Sequence, residues 1–113
     1  MENIIVLSMF TTVRVGNVCN MYTTIIIVKC NDEYINDILH RYLVKDCFAE
    51  IDQEIEDITQ YTVITKYDPD FTEFENLVHK YQDYEPTVQY VTADLEGAYI
   101  SATRRYCGCW YND

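Results

Sequence analysis

Two segments of this chain share one pattern, in which a β-branched run leads directly into an amphipathic helical stripe. TIIIVKCND leads into a helix ending ILHRY, and YTVITKYDP leads into a helix ending LVHKY. Lys29 aligns with Lys66 and His40 with His79, although the second copy has two extra residues between them. Duplication and chance similarity both account for so short a match. In either case, a strand followed by a helix, twice, is what a split βαβ arrangement requires.

The first helix is predicted within NDEYINDILHRYLVK. Its apolar residues recur at i, i+1, i+4, i+5, i+8 and i+9, which is a helical stripe. They are Tyr34, Ile35, Ile38, Leu39, Tyr42 and Leu43. Asn31 or Asp32 is expected to cap this helix, because a short polar side chain can accept the free N–H groups of the first turn.

The second helix is predicted within DPDFTEFENLVHKYQDY. Asp68 occupies the expected cap position, Pro69 suits the first turn, and Asp70 with Glu73 has the spacing of a capping box. The predicted buried face consists of Phe71, Phe74, Leu77, Val78 and Tyr81.

Two hairpins are also predicted. NIIVLSMFTTVRV and VCNMYTTIIIVKC flank Gly16-Asn17, and TVQYVTADLEGAYISATRRY has its turn near Leu95-Glu96-Gly97. Both segments are rich in β-branched and aromatic residues around turn-forming ones. The final YCGCWYND is assigned to a strand end or tail.

The segment EIDQEIED, residues 50–57, fits either a strand or a helix. As a strand it would point Glu50, Asp52, Glu54 and Glu56 one way and Ile51, Gln53 and Ile55 the other. As a helix, Phe48 and three isoleucines would form a stripe. Acidic residues are poor strand formers, but a split βαβ arrangement needs a return strand here, so the strand is favoured.

The expected fold is therefore α+β: a two-layer sandwich with a mainly antiparallel sheet of four to six strands and two helices on one face, ferredoxin-like in character. A chain of 113 residues suffices for one such core. A single domain over residues 1–113 is expected, since no Pro/Gly-rich linker divides the sequence.

Charge is concentrated in the middle of the chain. Residues 32–96 hold 17 acids against 4 bases, whereas the whole chain has a formal net charge of −11. Such a surplus argues against nucleic acid or an anionic membrane as a direct partner and favours a basic protein surface. The acidic N-terminus lacks a signal-peptide pattern and no apolar run approaches about 20 residues, so a cytoplasmic protein is predicted, in the host cytoplasm if the source is viral.

No catalytic signature is apparent, and no cofactor or metal is expected. Three glycines exclude a P-loop or dinucleotide fingerprint. Cys107 and Cys109 form one CxC pair, to which scattered cysteines or histidines would have to be added for zinc. The five cysteines are an odd number, which favours reduced thiols. A small metal-dependent or histidine-assisted hydrolase, using the carboxylate run or His40 and His79, is an alternative.

The leading hypothesis is an acidic inhibitor that mimics nucleic acid and occupies a nucleic-acid-binding surface of a partner protein, as viral anti-defence proteins of similar size and charge do. Carboxylates two apart on a strand repeat roughly every 6.6–7 Å, close to the spacing of phosphates. Tyrosine among acids suits contact with arginine. The predicted partner-binding residues are Asp46, Glu50, Asp52, Glu54, Glu56, Asp57, Asp83, Tyr84 and Glu85. A structural or regulatory homodimer that uses sheet edges and exposed tyrosines is a further alternative.

Overall fold

The computed structural model describes residues 21–94 and 99–112, apart from the side chains of Tyr99 and Ser101. Its strands are β1 (Tyr22–Lys29), β2 (Glu50–Ile55), β3 (Ile58–Thr65), β4 (Thr87–Asp94), β5 (Tyr99–Cys107) and β6 (Trp110–Asn112). Its helices are α1 (Glu33–Arg41), continued by a π-helical turn (Tyr42–Asp46), and α2 (Thr72–Lys80), followed by a 3₁₀ turn (Gln82–Tyr84). The predicted α+β class is confirmed. The predicted hairpin turns at residues 16–17 and 95–97 lie outside the described residues.

All six strands form one antiparallel sheet in the order β2-β3-β1-β4-β5-β6. Since β3 runs antiparallel to both β1 and β2, these two strands are parallel to each other, with β3 inserted between them. With α1 after β1 and α2 after β3, the first four described strands reproduce the split βαβ arrangement that the sequence predicts. Strands β5 and β6 extend the sheet beyond it.

Both helices cover the same face of the sheet, which we call the helix face. Alternate strand residues point into this layer. The core there contains Ile26 and Val28 of β1, Tyr61 and Val63 of β3, Val88 and Tyr90 of β4, and Ile35, Leu39, Leu43, Phe74 and Val78 of the helical segments. The predicted helical stripes thus account for most of the helix side of the core.

Helix α1 begins as the sequence predicts. The Asp32 carboxylate accepts a hydrogen bond from the Ile35 N–H at 3.0 Å and caps the first turn. One residue of the predicted stripe is wrong, because Tyr34 is 72% exposed while Ile35 and Leu39 are buried. Tyr34 lies at the margin of the apolar stripe, where the sheet does not reach it.

Helix α2 begins later than predicted. The Asp70 carboxylate accepts the Thr72 N–H at 2.9 Å, and the helix starts at Thr72 rather than directly after Asp68. The Asp68 cap is therefore wrong, because Asp70 provides the acceptor nearest to the first helical N–H. The predicted buried face is confirmed: Phe71, Phe74 and Val78 are buried, and Leu77 and Tyr81 pack against them.

The two histidines of the repeated pattern have equivalent environments. His40 Nδ1 and the Tyr61 hydroxyl form a hydrogen bond of 2.9 Å, and His79 Nδ1 and the Tyr106 hydroxyl form one of 3.0 Å. Each histidine lies in the last turn of its helix, and each tyrosine lies in the second strand of the next hairpin. The sequence match thus corresponds to two similar attachments of a helix end to the sheet.

The opposite side of the sheet, which we call the open face, has two different halves. Near the start of β1, the open-face residues Thr23, Ile25, Val91 and Ala93 are buried. Near the end of β1, Lys29 and its cross-strand neighbours Ile58 and Thr87 are exposed.

None of the described helices is long and apolar enough to span a bilayer.

Candidate protein-binding surface

Residues 50–55 form the edge strand β2, which decides between the two sequence interpretations in favour of the strand. Among the described strands, its only neighbour is β3. All six residues of β2 are exposed, so the apolar side chains Ile51 and Ile55 do not anchor it in the core. The strand is held mainly by its backbone pairing and presents its side chains to solvent.

A β-bulge at Asp52 divides the carboxylates between the two faces of the sheet. Ile51 lies opposite Tyr61 and Gln53 opposite Gln60, so Asp52 is the extra residue. From this register, Glu50 belongs to the open face and Glu54 to the helix face. The predicted single row of four carboxylates is therefore wrong, because one inserted residue reverses the alternation beyond it.

Side-chain contacts agree with this assignment. The Asp52 carboxylate accepts hydrogen bonds from the Thr62 hydroxyl and, at 3.4 Å, from the Gln60 amide, both of which belong to the open face. On the helix face, burial and, to a smaller extent, the negative charge of Glu54 together raise the pKa of Tyr61 to about 12. The edge strand thus forms a ridge with carboxylates on both sides.

The turn between β2 and β3 lies against the end of β1. Glu56 adopts a left-handed conformation with φ 55°, and the Asp57 carbonyl accepts the Cys30 N–H at 3.3 Å. Burial raises the pKa of the Cys30 thiol, and the charges of Asp32 and Asp57 add to this effect. Carboxylates of the turn and of the α1 cap are therefore neighbours.

A second predicted segment reaches the same end of the sheet. Asp83 and Tyr84 lie in the 3₁₀ turn, and Glu85 follows with φ 52°. Tyr84 and Glu85 line a cavity of about 270 Å³ together with Lys29, Asn31 and Thr87. The structure thus places residues 56–57 and residues 83–85 on either side of the end of β1.

Asp46 lies four residues before Glu50, the first residue of β2. It ends the π-helical turn, and its charge acts on Cys47, whose pKa is raised to about 11 by burial first and then by Asp46 and Glu73. Glu73 belongs to the first turn of α2, so this neighbourhood lies at the other end of the helix layer. Asp46 and residues 83–85 therefore lie near opposite ends of α2.

We define the acidic edge as Glu50, Asp52, Glu54, Glu56 and Asp57. The ion pairs Arg41–Asp37, at 2.8 Å, and Arg104–Glu75, at 2.7 Å, both use other carboxylates. Four members are exposed, and Asp57 is half-buried. Among the described residues, no Lys or Arg forms an ion pair with the acidic edge.

A second group of interacting side chains, centred on the carboxylate of Glu75, was not anticipated from the sequence. Glu75 accepts hydrogen bonds from the Tyr90 hydroxyl at 2.6 Å and from Arg104 Nε and Nη2 at 3.0 and 2.7 Å. The Trp110 indole donates to the Glu75 carbonyl at 2.8 Å. We call Glu75, Tyr90, Arg104 and Trp110 the Glu75 cluster. It ties α2 to β4, β5 and β6.

The hydrogen-bond donors around Glu75 determine the direction in which its pKa is shifted. Burial alone would raise the pKa of Glu75, but hydrogen bonds from Arg104 and Tyr90 outweigh it and hold the pKa below its ordinary value. The Arg104 guanidinium also lies 5.6 Å from the Trp110 ring centroid. Because each of these polar groups has a partner, we assign the cluster a structural role. The sequence feature that could have indicated it is Arg104, since the chain has only 8 Lys and Arg residues and each is therefore a candidate partner for a buried carboxylate.

Thiols and histidines do not converge in the described part of the chain. No group of three or more His, Cys, Asp or Glu residues there could hold a metal ion. Cys107 and Cys109 are exposed free thiols at the β5–β6 turn, where Gly108 takes φ 85°. The zinc and hydrolase hypotheses thus gain no support from these residues.

Comparison of the chain with protein-family models, curated proteins and solved structures finds no match. The geometry of the surface is therefore what bears on the function.

Proposed function

We propose that this chain is an acidic binding module that places its acidic edge against a basic, nucleic-acid-binding surface of another protein and thereby blocks it. The observation that carries this proposal is that all six residues of β2 are exposed, together with the absence of ion pairs to its carboxylates among the described residues. A strand that contributes so little to the core, yet keeps its charges available, is suited to an external cation partner.

The edge is better suited to receiving side chains than to pairing with another strand. A bulge and a high density of charge are the devices by which edge strands avoid adding a further strand. Glu50, Asp52 and Glu54 occupy such an edge, and the bulge at Asp52 interrupts its regular pattern of N–H and C=O groups. Contact with a partner is therefore expected through carboxylates.

The ridge shape favours a cleft as the partner surface. Glu50 and Asp52 point to one side of the sheet and Glu54 to the other, while Glu56 and Asp57 continue at the turn. Charges on both sides can meet Lys and Arg on two walls of a cleft, as a nucleic-acid strand does with its phosphates. Tyr84, half-exposed beside Glu85, adds an aromatic surface on which Arg can stack.

The test is a triple charge reversal, Glu50→Lys, Glu54→Lys and Glu56→Lys. Asp52 is retained, because its carboxylate is hydrogen-bonded to β3. The tagged wild-type chain is expected to retain a nucleic-acid-binding protein from a host lysate, and single-stranded DNA or heparin should displace that protein. The variant should lose the protein and keep its circular-dichroism spectrum and unfolding midpoint.

A matched control carries the same change of charge on exposed residues that do not belong to the acidic edge: Glu33→Lys, Asp68→Lys and Glu73→Lys. This control should retain the partner, because local contact and not net charge is proposed to hold it. Equal loss of binding in both triple variants would contradict the role of the edge. Retention that polyanions cannot displace would contradict the nucleic-acid-binding surface as target.

A further inference from the structure

The exposed half of the open face forms a groove across the middle of the sheet. Its volume is about 480 Å³, within the range of small-molecule sites. The lining residues are Ile27, Lys29, Ile58, Thr87, Val88, Gln89, Arg105, Tyr106, Cys107 and Tyr111. The buried half of the same face, with Ile25 and Val91, lies directly beyond it along β1 and β4.

The charge of this groove is opposite to that of the protein. Two cations, Lys29 and Arg105, line it, and none of the described residues that line it is a carboxylate. On this side, the described carboxylate Glu85 shares a second cavity with Lys29. The chain as a whole has a formal net charge of −11. By the register Lys29↔Thr87↔Cys107, and with Arg105 two residues before Cys107, the two Cα atoms are roughly 12 Å apart. Both long side chains can therefore reach one ligand lying between them.

The groove also has an apolar side. Ile27 lines it from β1, Ile58 is 39% exposed at one side, and Tyr111 is 40% exposed at the other. Between them, the Gln89 amide lies in register with Ile27 and Arg105. An apolar floor with a few polar groups at defined positions is the usual construction of a small-ligand site.

We propose that this groove binds a small organic anion with a flat apolar body. The apolar body lies against Ile27 and Ile58, and a carboxylate or phosphate lies between Lys29 and Arg105. Charge complementarity selects the anion, and the restricted volume selects a small molecule over a folded partner. In the described part of the chain no residue of the acidic edge lines the groove, and Asp57 adjoins it only through its neighbour Ile58. The proposal does not depend on the proposed function.

The first experiment uses 1-anilinonaphthalene-8-sulfonate as a fluorescent probe. Wild-type protein should bind it saturably, and Lys29→Glu should weaken binding about fivefold or more by replacing attraction with repulsion. Lys45→Glu makes the same change in charge at an exposed lysine outside the groove, and it should leave the affinity nearly unchanged. Equal effects of the two substitutions would overturn the proposal.

Three competitors with one ring system identify the ligand class. 1-Naphthoate and 1-naphthyl phosphate should displace the probe, whereas neutral 1-naphthalenemethanol should not. Displacement by one anion alone identifies the head group that the site prefers. Displacement by the alcohol as effectively as by the anions would show a merely apolar surface and contradict a site for anions.

Thiol labelling locates the bound molecule. Cys107 lines the groove, whereas Cys109, two residues on, does not, and both are exposed free thiols. Saturating 1-naphthoate should slow modification of Cys107 by iodoacetamide, followed by peptide mass spectrometry, and leave Cys109 unaffected. Unchanged labelling of Cys107, or equal protection of both cysteines, would place the ligand elsewhere and refute the assignment.

Discussion

The acidic edge and the Glu75 cluster use the same chemical group in opposite ways. Glu50 and Glu54 extend from a fully exposed strand. The Glu75 side chain is only 15% exposed and receives two donors from Arg104 and one from Tyr90. The two regions lie at opposite edges of the described sheet, with β2 at one edge and β5 and β6 at the other.

This difference indicates which carboxylates are needed for the stability of the fold. A buried carboxylate without partners is costly, so removal of one member of a paired set leaves the others unsatisfied. An exposed carboxylate keeps its water, and its loss costs little. The acidic edge can therefore be changed by selection for a partner, whereas the Glu75 cluster cannot be changed without loss of stability.

The largest expected effect is a loss of stability on substitution of Glu75, which is not expected on substitution of Glu50. Glu75→Ala should lower the free energy of unfolding by about 2–4 kcal/mol, because Arg104 and the Tyr90 hydroxyl lose their acceptor. Glu50→Ala should change it by less than about 0.5 kcal/mol. Urea unfolding followed by tryptophan fluorescence measures both, since Trp110 donates to the Glu75 carbonyl. Comparable losses in the two variants would remove the distinction between the regions.

A smaller effect is expected at the two histidine–tyrosine pairs, one near each side of the sheet. Tyr61→Phe and Tyr106→Phe each remove one hydroxyl that is hydrogen-bonded to a histidine, and each should cost about 1 kcal/mol. The two losses are expected to be similar, because the two hydrogen bonds have similar lengths and join equivalent positions of the fold. Chemical denaturation of both variants checks it, and a difference above about 1 kcal/mol would show that the two attachments are not equivalent.

Acid should weaken the Glu75 cluster selectively. The pKa of Glu75 is lowered in the folded protein from an ordinary value of 4.5, so the unfolded chain binds this proton first as the pH falls. The stabilisation is present above that value and is lost as the pH falls through the folded pKa. In Glu75→Gln the group cannot titrate, so the stability difference from wild type should narrow on acidification. A constant difference would mean that the charge of Glu75 is unimportant.

The smallest effect is expected at the acidic edge. Glu50→Gln, Glu54→Gln and Glu56→Gln together should leave the unfolding free energy within about 0.5 kcal/mol of wild type, or slightly above it at low salt where repulsion is relieved. Thermal melting at low and high salt measures this. A clear loss of stability would reveal a structural role for these charges and weaken the case for an external partner.

The sequence predicted the elements well and their register poorly. The β-branched runs and the 3.6-residue periodicity identified β1, α1, β3 and α2, and Asp32 was anticipated as a cap. The alternation of carboxylates in β2 failed at Asp52, because a bulge depends on pairing with β3 and not on the strand itself. The start of α2 moved for a similar local reason, the choice of Asp70 over Asp68 as acceptor.

By itself, the sequence determined the split βαβ order, the core faces of the helices and the negative charge of the middle segment, since these depend on residues close together along the chain. Tertiary structure alone decided that Glu75 would meet Arg104, that Lys29 and Arg105 would share a groove, and that the acidic edge would become a two-sided ridge. Each of these depends on which strands are neighbours and in what register, and the apolar face that must be buried sets that register only once the whole sheet assembles.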